Sequence, residues 1–262
     1  MTVLDLRPGV GDLLKAWRGK RRMSQFDLSL AADVSTRHLS YVETGRSKPS
    51  RAFLLHVADH LDVPLRARND LLVAAGYAPL YGETKLDDPA MAQVRQALDL
   101  VLAKHEPYPA LVVDRVWNLV LANNGAAMLF EDLDPRFLEG TPNVLRASLH
   151  PDGMARRIED FDVFSGHILS RLRRQVALTG DEQLIALYDE LSALPGVATV
   201  EPFTDHPGVV LPVRIRSRHG VLSFFTTAAT FGTAADVTLS ELTVESFFPA
   251  DEPTRLALTV GA

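Results

Sequence analysis

The sequence predicts two domains: an all-α domain of five short helices, followed by an α+β domain with an antiparallel sheet. Three observations carry this. The first 80 residues divide into short apolar-periodic segments, most opened by Ser or Pro. From residue 110 on, strand-like runs frame a helical middle. The charge changes sign between the halves. Residues 1–80 hold 12 Lys+Arg and 8 Asp+Glu, a balance of +4, whereas the other 182 hold 15 and 25, a balance of −10.

The first helix is expected over Val10–Arg22, with Leu13, Leu14 and Trp17 on one face. Ser24 is a good N-cap for the second, whose apolar residues are Phe26, Leu28, Leu30 and Ala31. Asp33-Val34 makes a turn. Ser35 or Thr36 caps the third helix, which carries Leu39 and Val42 and ends at Gly45. Ser50 caps the fourth, with Phe53, Leu54, Val57, Ala58 and Leu61 inward, and Pro64 opens the fifth, which runs to about Gly76. The first domain is therefore placed at 1–80. The aperiodic "APLYGETKLDDPA" puts a linker at 81–90, and the second domain at 91–262.

A helix over Met91–Lys104 opens the second domain and "HEPYP" stops it. "ALVVDRVWNLVLAN" (110–123) reads as two strands around a tight Asp-Arg turn. Residues 124–131, 135–149, 151–179 and 181–194 read as helical. From Val209 the pattern returns to strands: "VVLPVRIRS", "GVLSFFTTAATF" and "ADVTLSELTVESFFP", with Arg218-His219-Gly220 as a hairpin turn.

Composition excludes several classes. There is no cysteine, so disulfides, thiol catalysis and cysteine-bound zinc or iron–sulfur centres are out. "MTVLDLRPG" has no basic segment followed by a long apolar run, and no stretch approaches the ~18 apolar residues of a membrane span. The expectation is a cytoplasmic protein with no membrane association. Net charge −6 argues against nucleic acid, but the basic first domain can still meet phosphates, because the local field decides contact.

Gln25–Gly45 has the spacing of a helix-turn-helix. Small or apolar residues at Leu28, Ala31, Ala32, Val34, Leu39 and Val42 allow two helices to cross closely. Gln25, Ser29, Thr36, Arg37, Ser40 and Tyr41 stay polar and outward. In such a motif the second helix enters the major groove, so Ser35, Thr36, Arg37, Ser40 and Tyr41 are candidate base readers. Arg37 leads, since a guanidinium pairs with both guanine O6 and N7. Gln25 is placed to meet a phosphate at a helix N-terminus, and Arg46, Ser47 and Lys48 suit the DNA backbone. Tyr41 is bulky for a base edge and suits sugar-phosphate.

The stretch "MSQFDLSLAADVSTRHLSYVETGRSKPSRAFLLHVADHLDVP" resembles the five-helix, lambda-repressor-like domain of the Xre/Cro/C1 repressor family, over about 60 of 262 residues. The resemblance implies a sequence-specific regulator acting on double-stranded operator DNA. It assigns Glu43 an intramolecular role, pairing near Arg46 or the turn. "PALVVDRVWNLVLANNGAAMLF", "NVLRASLHPDGMARRIEDF", "SRLRRQVALTGDEQLIALYDEL" and "HPGVVLPVRI" are similar to the PAS-like ligand-binding half of MmyB/MltR-like regulators, over most of 91–250. The Thr-rich tail departs from that pattern. This implies an apolar or lipid-like ligand such as a fatty acid. Candidate pocket residues are Leu111, Val113, Trp117, Leu119, Leu121, Phe130, Phe161, Phe164, Phe224 and Phe231, each of which can equally be plain core.

The remaining constellations carry no chemistry. His56 and His60 share a helix face, but "HVADH" lacks HExxH and a third ligand. His150-Pro151 and His206-Pro207 suit turns, with contact to a ligand as the alternative for either histidine. "RLRR" (171–174) reads as a solvated face pairing with acids such as Asp181 or Glu182. No phosphate loop, nucleophile–base set or metal motif is present. The expected protein is thus a DNA-binding, ligand-sensing homodimer with no catalytic residues, metal or cofactor. Two rivals remain: an antitoxin-like adaptor whose second half binds a protein, and an enzyme with a DNA-binding tether, against which stands the lack of a nucleophile–base set, metal site or cofactor loop.

Overall fold

A computed structural model describes residues 8–198 and 212–259. The chain forms two compact units. One runs to Glu83 and takes in Ala234–Val237; the other holds Thr84–Thr233 and the residues from Thr238 on.

The first unit has five helices: α1 (Val10–Lys20), α2 (Gln25–Ala31), α3 (Thr36–Glu43), α4 (Arg51–His60) and α5 (Leu65–Ala74). Local chemistry marks their ends. Ser24 Oγ accepts from Asp27 N while Asp27 accepts from Ser24 N, a reciprocal cap. Ser35 and Ser50 cap α3 and α4 by a single bond each, accepting from His38 N and Phe53 N. Gly45, at φ +72°, ends α3 in a conformation that glycine adopts without Cβ strain. The core gathers Leu14, Trp17, Leu28, Ala32, Leu39, Val42, Val57, Ala58, Leu61, Val63 and Leu71. Burying each large side chain contributes roughly 1.5–3 kcal/mol.

The second helix departs from expectation. Leu28 and Ala32, four apart, face the core. Phe26 and Leu30 are 65% and 74% exposed, and Ala31 is exposed as well. Ser29, expected outward, is buried.

Residues 80–83 are fastened to α5. Asn69 Oδ1 accepts from Leu80 N and Tyr81 N, its Nδ2 donates to Tyr81 O, and Arg66 pairs with Glu83. Asp236 bridges Gly82, and Val237 N donates to the Gly82 carbonyl.

The second unit is α+β, as expected. Its six strands are β1 (Ala110–Val113), β2 (Leu119–Ala122), β3 (Ile158–Glu159), β4 (Val213–Ser217), β5 (Gly220–Thr230) and β6 (Thr243–Pro249). They form one antiparallel sheet in the order β2-β1-β6-β5-β4-β3. Helices α6 (Ala92–His105), α7 (Val144–Leu149), α8 (Phe161–Thr179), α9 (Glu182–Ser192), α10 (Val237–Ser240) and α11 (Glu252–Thr259) complete it.

Several local expectations are corrected. Five residues, Asp114–Asn118, and not a tight Asp-Arg turn, join β1 to β2. The helix expected over 135–149 is only a single turn at Pro135–Phe137 and then α7. The stretch expected to be helical over 151–179 is interrupted by β3, which exists because Ile158 and Glu159 pair with Ile215 and Arg214. "ADVTLSELTVESFFP" begins as α10 before becoming β6, and α11 follows a tail read without a helix. Val209 and Val210, expected in a strand, lie outside the described residues. Among the described residues no helix is long and apolar enough to cross a membrane.

Candidate functional site

In the first unit α3 presents an outward face. Thr36 and Arg37 are exposed, Ser35 is exposed at the cap, and Ser40 and Tyr41 are half-buried. Arg37 Nε donates to Tyr41 Oη at 3.0 Å, and its guanidinium lies 5.3 Å from the ring centroid. Arg46 approaches the same ring at 6.0 Å. Tyr41 is therefore a platform that two cations approach. Beyond α3, Arg46 N and Ser47 N both donate to the Tyr41 carbonyl, which sets the direction of the basic loop. Arg46 and Lys48 are exposed, and Lys48 Nζ sits 5.1 Å over the Tyr77 ring.

Two residues expected at the DNA, Thr36 and Gln25, are partly engaged inside the unit. Ser29 Oγ donates to Phe26 O, so the 2.7 Å contact with Thr36 Oγ1 is one in which Thr36 donates. This bond pins the N-terminus of α3 to α2. Gln25, placed by sequence against a phosphate, is half-buried and donates to Glu43 at 2.7 Å.

Glu43 is the hub of this arrangement. Its side chain is 2% exposed and accepts from Arg18 Nε and Nη2, both at 2.8 Å. The sequence expectation of pairing near Arg46 is corrected: the partners are Arg18 and Gln25, from two other helices. Burial pushes the Glu43 carboxyl up, but the bonds from Arg18 and Gln25 and the Arg18 charge overcome it and hold the group below the usual glutamate range. One turn away, a Cβ built on Gly11 would stand 2.6 Å from the carbonyl oxygens of Val42 and Glu43, so α1 meets α3 backbone to backbone.

In the second unit a cavity of about 570 Å³ lies between α7, α8 and the sheet. Of the ten sequence candidates, Leu111, Trp117, Phe130 and Phe164 line it. Leu119, Phe161 and Phe224 pack in the surrounding core. Val113 belongs to the cluster around α8 and α9, and Leu121 and Phe231 to the one around α6. On α8, Phe164 is joined by four residues that sequence reading missed, Val163, His167, Ile168 and Arg171, at helical spacing. That i, i+3, i+4 stripe is visible in the sequence. Residues 171–174 are accordingly not simply a solvated cluster: Arg171 pairs with the buried Glu245 of β6, and Asp181 pairs with Arg115.

Trp117 reaches the cavity through an unusual backbone. Asp114 Oδ1 accepts from Val116 N and Asn118 N, both at 2.9 Å, and Asn143 Nδ2 donates to Val116 O. The braced loop holds Trp117 at φ +69°, a costly conformation for a bulky residue. Its Nε1 donates to Gln175, and Arg171 stacks over its ring at 4.5 Å. Burial, with the charges of Arg171 and Arg174, holds the His167 imidazole below its ordinary value and so neutral near pH 7.

The histidines take structural places. His56 Nε2 contacts Ala32 O, His60 Nδ1 contacts His56 O, and His150 Nδ1 accepts from Asp152 N. His206 lies outside the described residues. Among the described residues no group of three or more His, Asp or Glu is placed to hold a metal.

Comparison with known proteins agrees with this geometry. Residues 94–259 match the model of the MmyB-like transcription regulator ligand binding domain, and residues 10–71 match a helix-turn-helix domain model. Uncharacterized HTH-type transcriptional regulators of Mycobacterium bovis and Mycobacterium tuberculosis are each 39% identical over 69 residues. That region is 26% of this chain, and the chain spans 27% of the length of those relatives. Among solved structures, an RNA-binding light-oxygen-voltage receptor aligns over 97% of this chain and 61% of its own, at 13% identity and a TM-score of 0.30. A score that low carries no argument.

Proposed function

The chain belongs to the MmyB-like transcription regulator family, by its ligand-binding domain, and from that premise we propose that it is a sequence-specific DNA-binding regulator whose second unit senses a small apolar or lipid-like molecule. The observation that carries the reading is the cavity of about 570 Å³, lined mainly by aliphatic and aromatic side chains, within the matched segment. A concave, mainly apolar space with a few polar groups is the usual form of a small-molecule site. An adaptor would instead call for a broad exposed apolar face, so the cavity favours the ligand reading.

On the DNA side, α3 enters the major groove. Arg37 reads a guanine, with Ser35, Thr36 and Ser40 beside it and Tyr41 against sugar-phosphate. Arg46, Ser47 and Lys48 follow the backbone, and Gln25 contributes by orienting Glu43 and the end of α3 or by meeting a phosphate. Two chains related by a two-fold would read half-sites about 10 bp apart, or a multiple of that. Ligand would act by population shift: it moves the equilibrium only by its differential affinity for the DNA-competent state. The assigned role is binding, with no catalytic step.

The test begins with selection of DNA from a random library by full-length protein, followed by native and denaturing mass spectra of the same preparation. The expected result is a two-fold-symmetric consensus, with an adduct present only in the native spectrum. Removing the adduct with a hydrophobic resin should change affinity for the consensus by about 5–150-fold. Selection that yields no consensus overturns the DNA reading. A bare native mass, with no change in affinity after resin treatment, overturns the ligand reading.

A further inference from the structure

We propose that Glu245 sets the selectivity of the cavity: it admits an apolar chain whose polar end is uncharged and donates a hydrogen bond, and it disfavours a carboxylate. The proposal rests on the cavity being a ligand site, as argued above.

An anionic head would need a cation. Among the described residues lining the cavity, the candidates are Arg171, Arg214 and His167. Arg171 is committed to Glu245: Nη1 donates to Oε2 at 3.2 Å, and Nη2 donates to Oε1. Its guanidinium is also stacked on Trp117. Arg214 lies 3.0 Å from Glu159 and 3.8 Å from Asp160. His167 is held neutral by burial and by its arginine neighbours. The lining acids Glu159, Asp160 and Glu245 outnumber the two arginines, which leaves the described wall with a formal charge of −1.

Glu245 decides the outcome because its side chain is only 8% exposed. A ligand carboxylate approaching Arg171 has two courses. It can displace Glu245, leaving a buried carboxylate without its cation. Or it can share Arg171, setting two carboxylates together until one takes up a proton. Both courses penalise the anion. A hydroxyl or amide meets neither penalty. A carboxylate accepts about four hydrogen bonds in all, so Glu245 can keep Arg171 and still accept one from the ligand. The apolar chain of such a ligand has a wall ready beside it. Leu111 lies opposite Glu245 across the β1–β6 ladder, and Phe247 lies two residues along on the same face of β6.

The experiment uses full-length protein stripped on hydrophobic resin, with binding read from tryptophan fluorescence and confirmed by native mass spectrometry. The probes are 1-dodecanol, dodecanamide and dodecanoate at about pH 7.5, each below its aggregation concentration. The wild type should bind dodecanol or dodecanamide about tenfold or more tightly than dodecanoate. Glu245→Gln, which leaves Arg171 without its carboxylate, should reverse that order. Dodecanoate binding as tightly as the neutral probes in the wild type overturns the proposal, and this ranking needs no variant to fold. An unreversed order in a folded Glu245→Gln protein overturns it too. If none of the probes binds either protein, the earlier ligand reading fails and takes this proposal with it, an outcome distinct from a wrong ranking.

Discussion

Replacing Glu43 by Ala removes the acceptor of three hydrogen bonds: two from Arg18 at 2.8 Å and one from Gln25 at 2.7 Å. Removing one partner of a buried ion pair typically costs about 3–5 kcal/mol, because the other charge is stranded. Arg18 is 14% exposed and keeps its bond from Nη1 to Met23 O, so water and that carbonyl relieve part of the penalty. The lower end, about 3 kcal/mol, is expected. For a unit of this size that lowers Tm by roughly 12–24 °C. Hydrogen exchange on the full chain, followed on peptides from α1 and α3, should speed up by roughly 150-fold under conditions where opening and reclosing are fast relative to exchange. Peptides from the second unit should be unchanged. Destabilisation below about 0.5 kcal/mol, the level of an exposed pair, would refute the reasoning. In that case the carboxylate would be hydrated in solution, and α3 would be held by apolar packing alone.

Further outcomes follow from the same geometry. The depressed Glu43 carboxyl contributes stability that is present above the unfolded glutamate value of about 4.3 and lost as pH falls through the folded value, so acid should loosen α1 and α3 in the wild type with a steeper slope than in Glu43→Gln. Hydrogen exchange between about pH 5 and 3 measures the two slopes. Gly11→Ala forces a Cβ onto two backbone carbonyls, and overpacking of about 1–3 kcal/mol should register in the thermal transition. Arg37→Ala should cost about 1–3 kcal/mol on the selected duplex and relax one base position; equal weakening on all sequences would make Arg37 a phosphate contact. Leu129→Trp, at a buried position on the cavity wall, should abolish dodecanol binding while leaving ligand-free DNA affinity unchanged.

The five N-terminal helices were legible because their signals are local. Ser24, Ser35 and Ser50 each cap within three residues, and Gly45 terminates α3 by its own conformation. Faces were harder to read. In α2 and its C-cap, both Phe26/Leu30 and Leu28/Ala32 satisfy an i, i+4 pairing, and only the packing partner decides between them. The Arg18–Glu43 pair spans 25 positions, and nothing in the sequence near Glu43 points to it. The same holds for β3, two residues that are a strand only because β4 lies alongside. At the cavity, the apolar strand residues were the visible half. Of the α8 stripe, only Phe164 stands out in the sequence, because Arg171 sits among charged neighbours that mask its spacing from His167 and Phe164, one and two turns earlier.

The backbone contact at Gly11 has a consequence for how this protein can change. The end of α3 lays its own main-chain carbonyls against Gly11 of α1, and is held by Leu39 and Val42 beneath and by the Glu43 anchor. None of these is a residue that faces outward. Arg37, Arg46 and Lys48 contribute little to holding the unit together, so substitutions there are nearly free of folding cost. Descendants of such a chain can acquire new target sequences by single exposed replacements on α3 and its following loop, with the scaffold inherited intact.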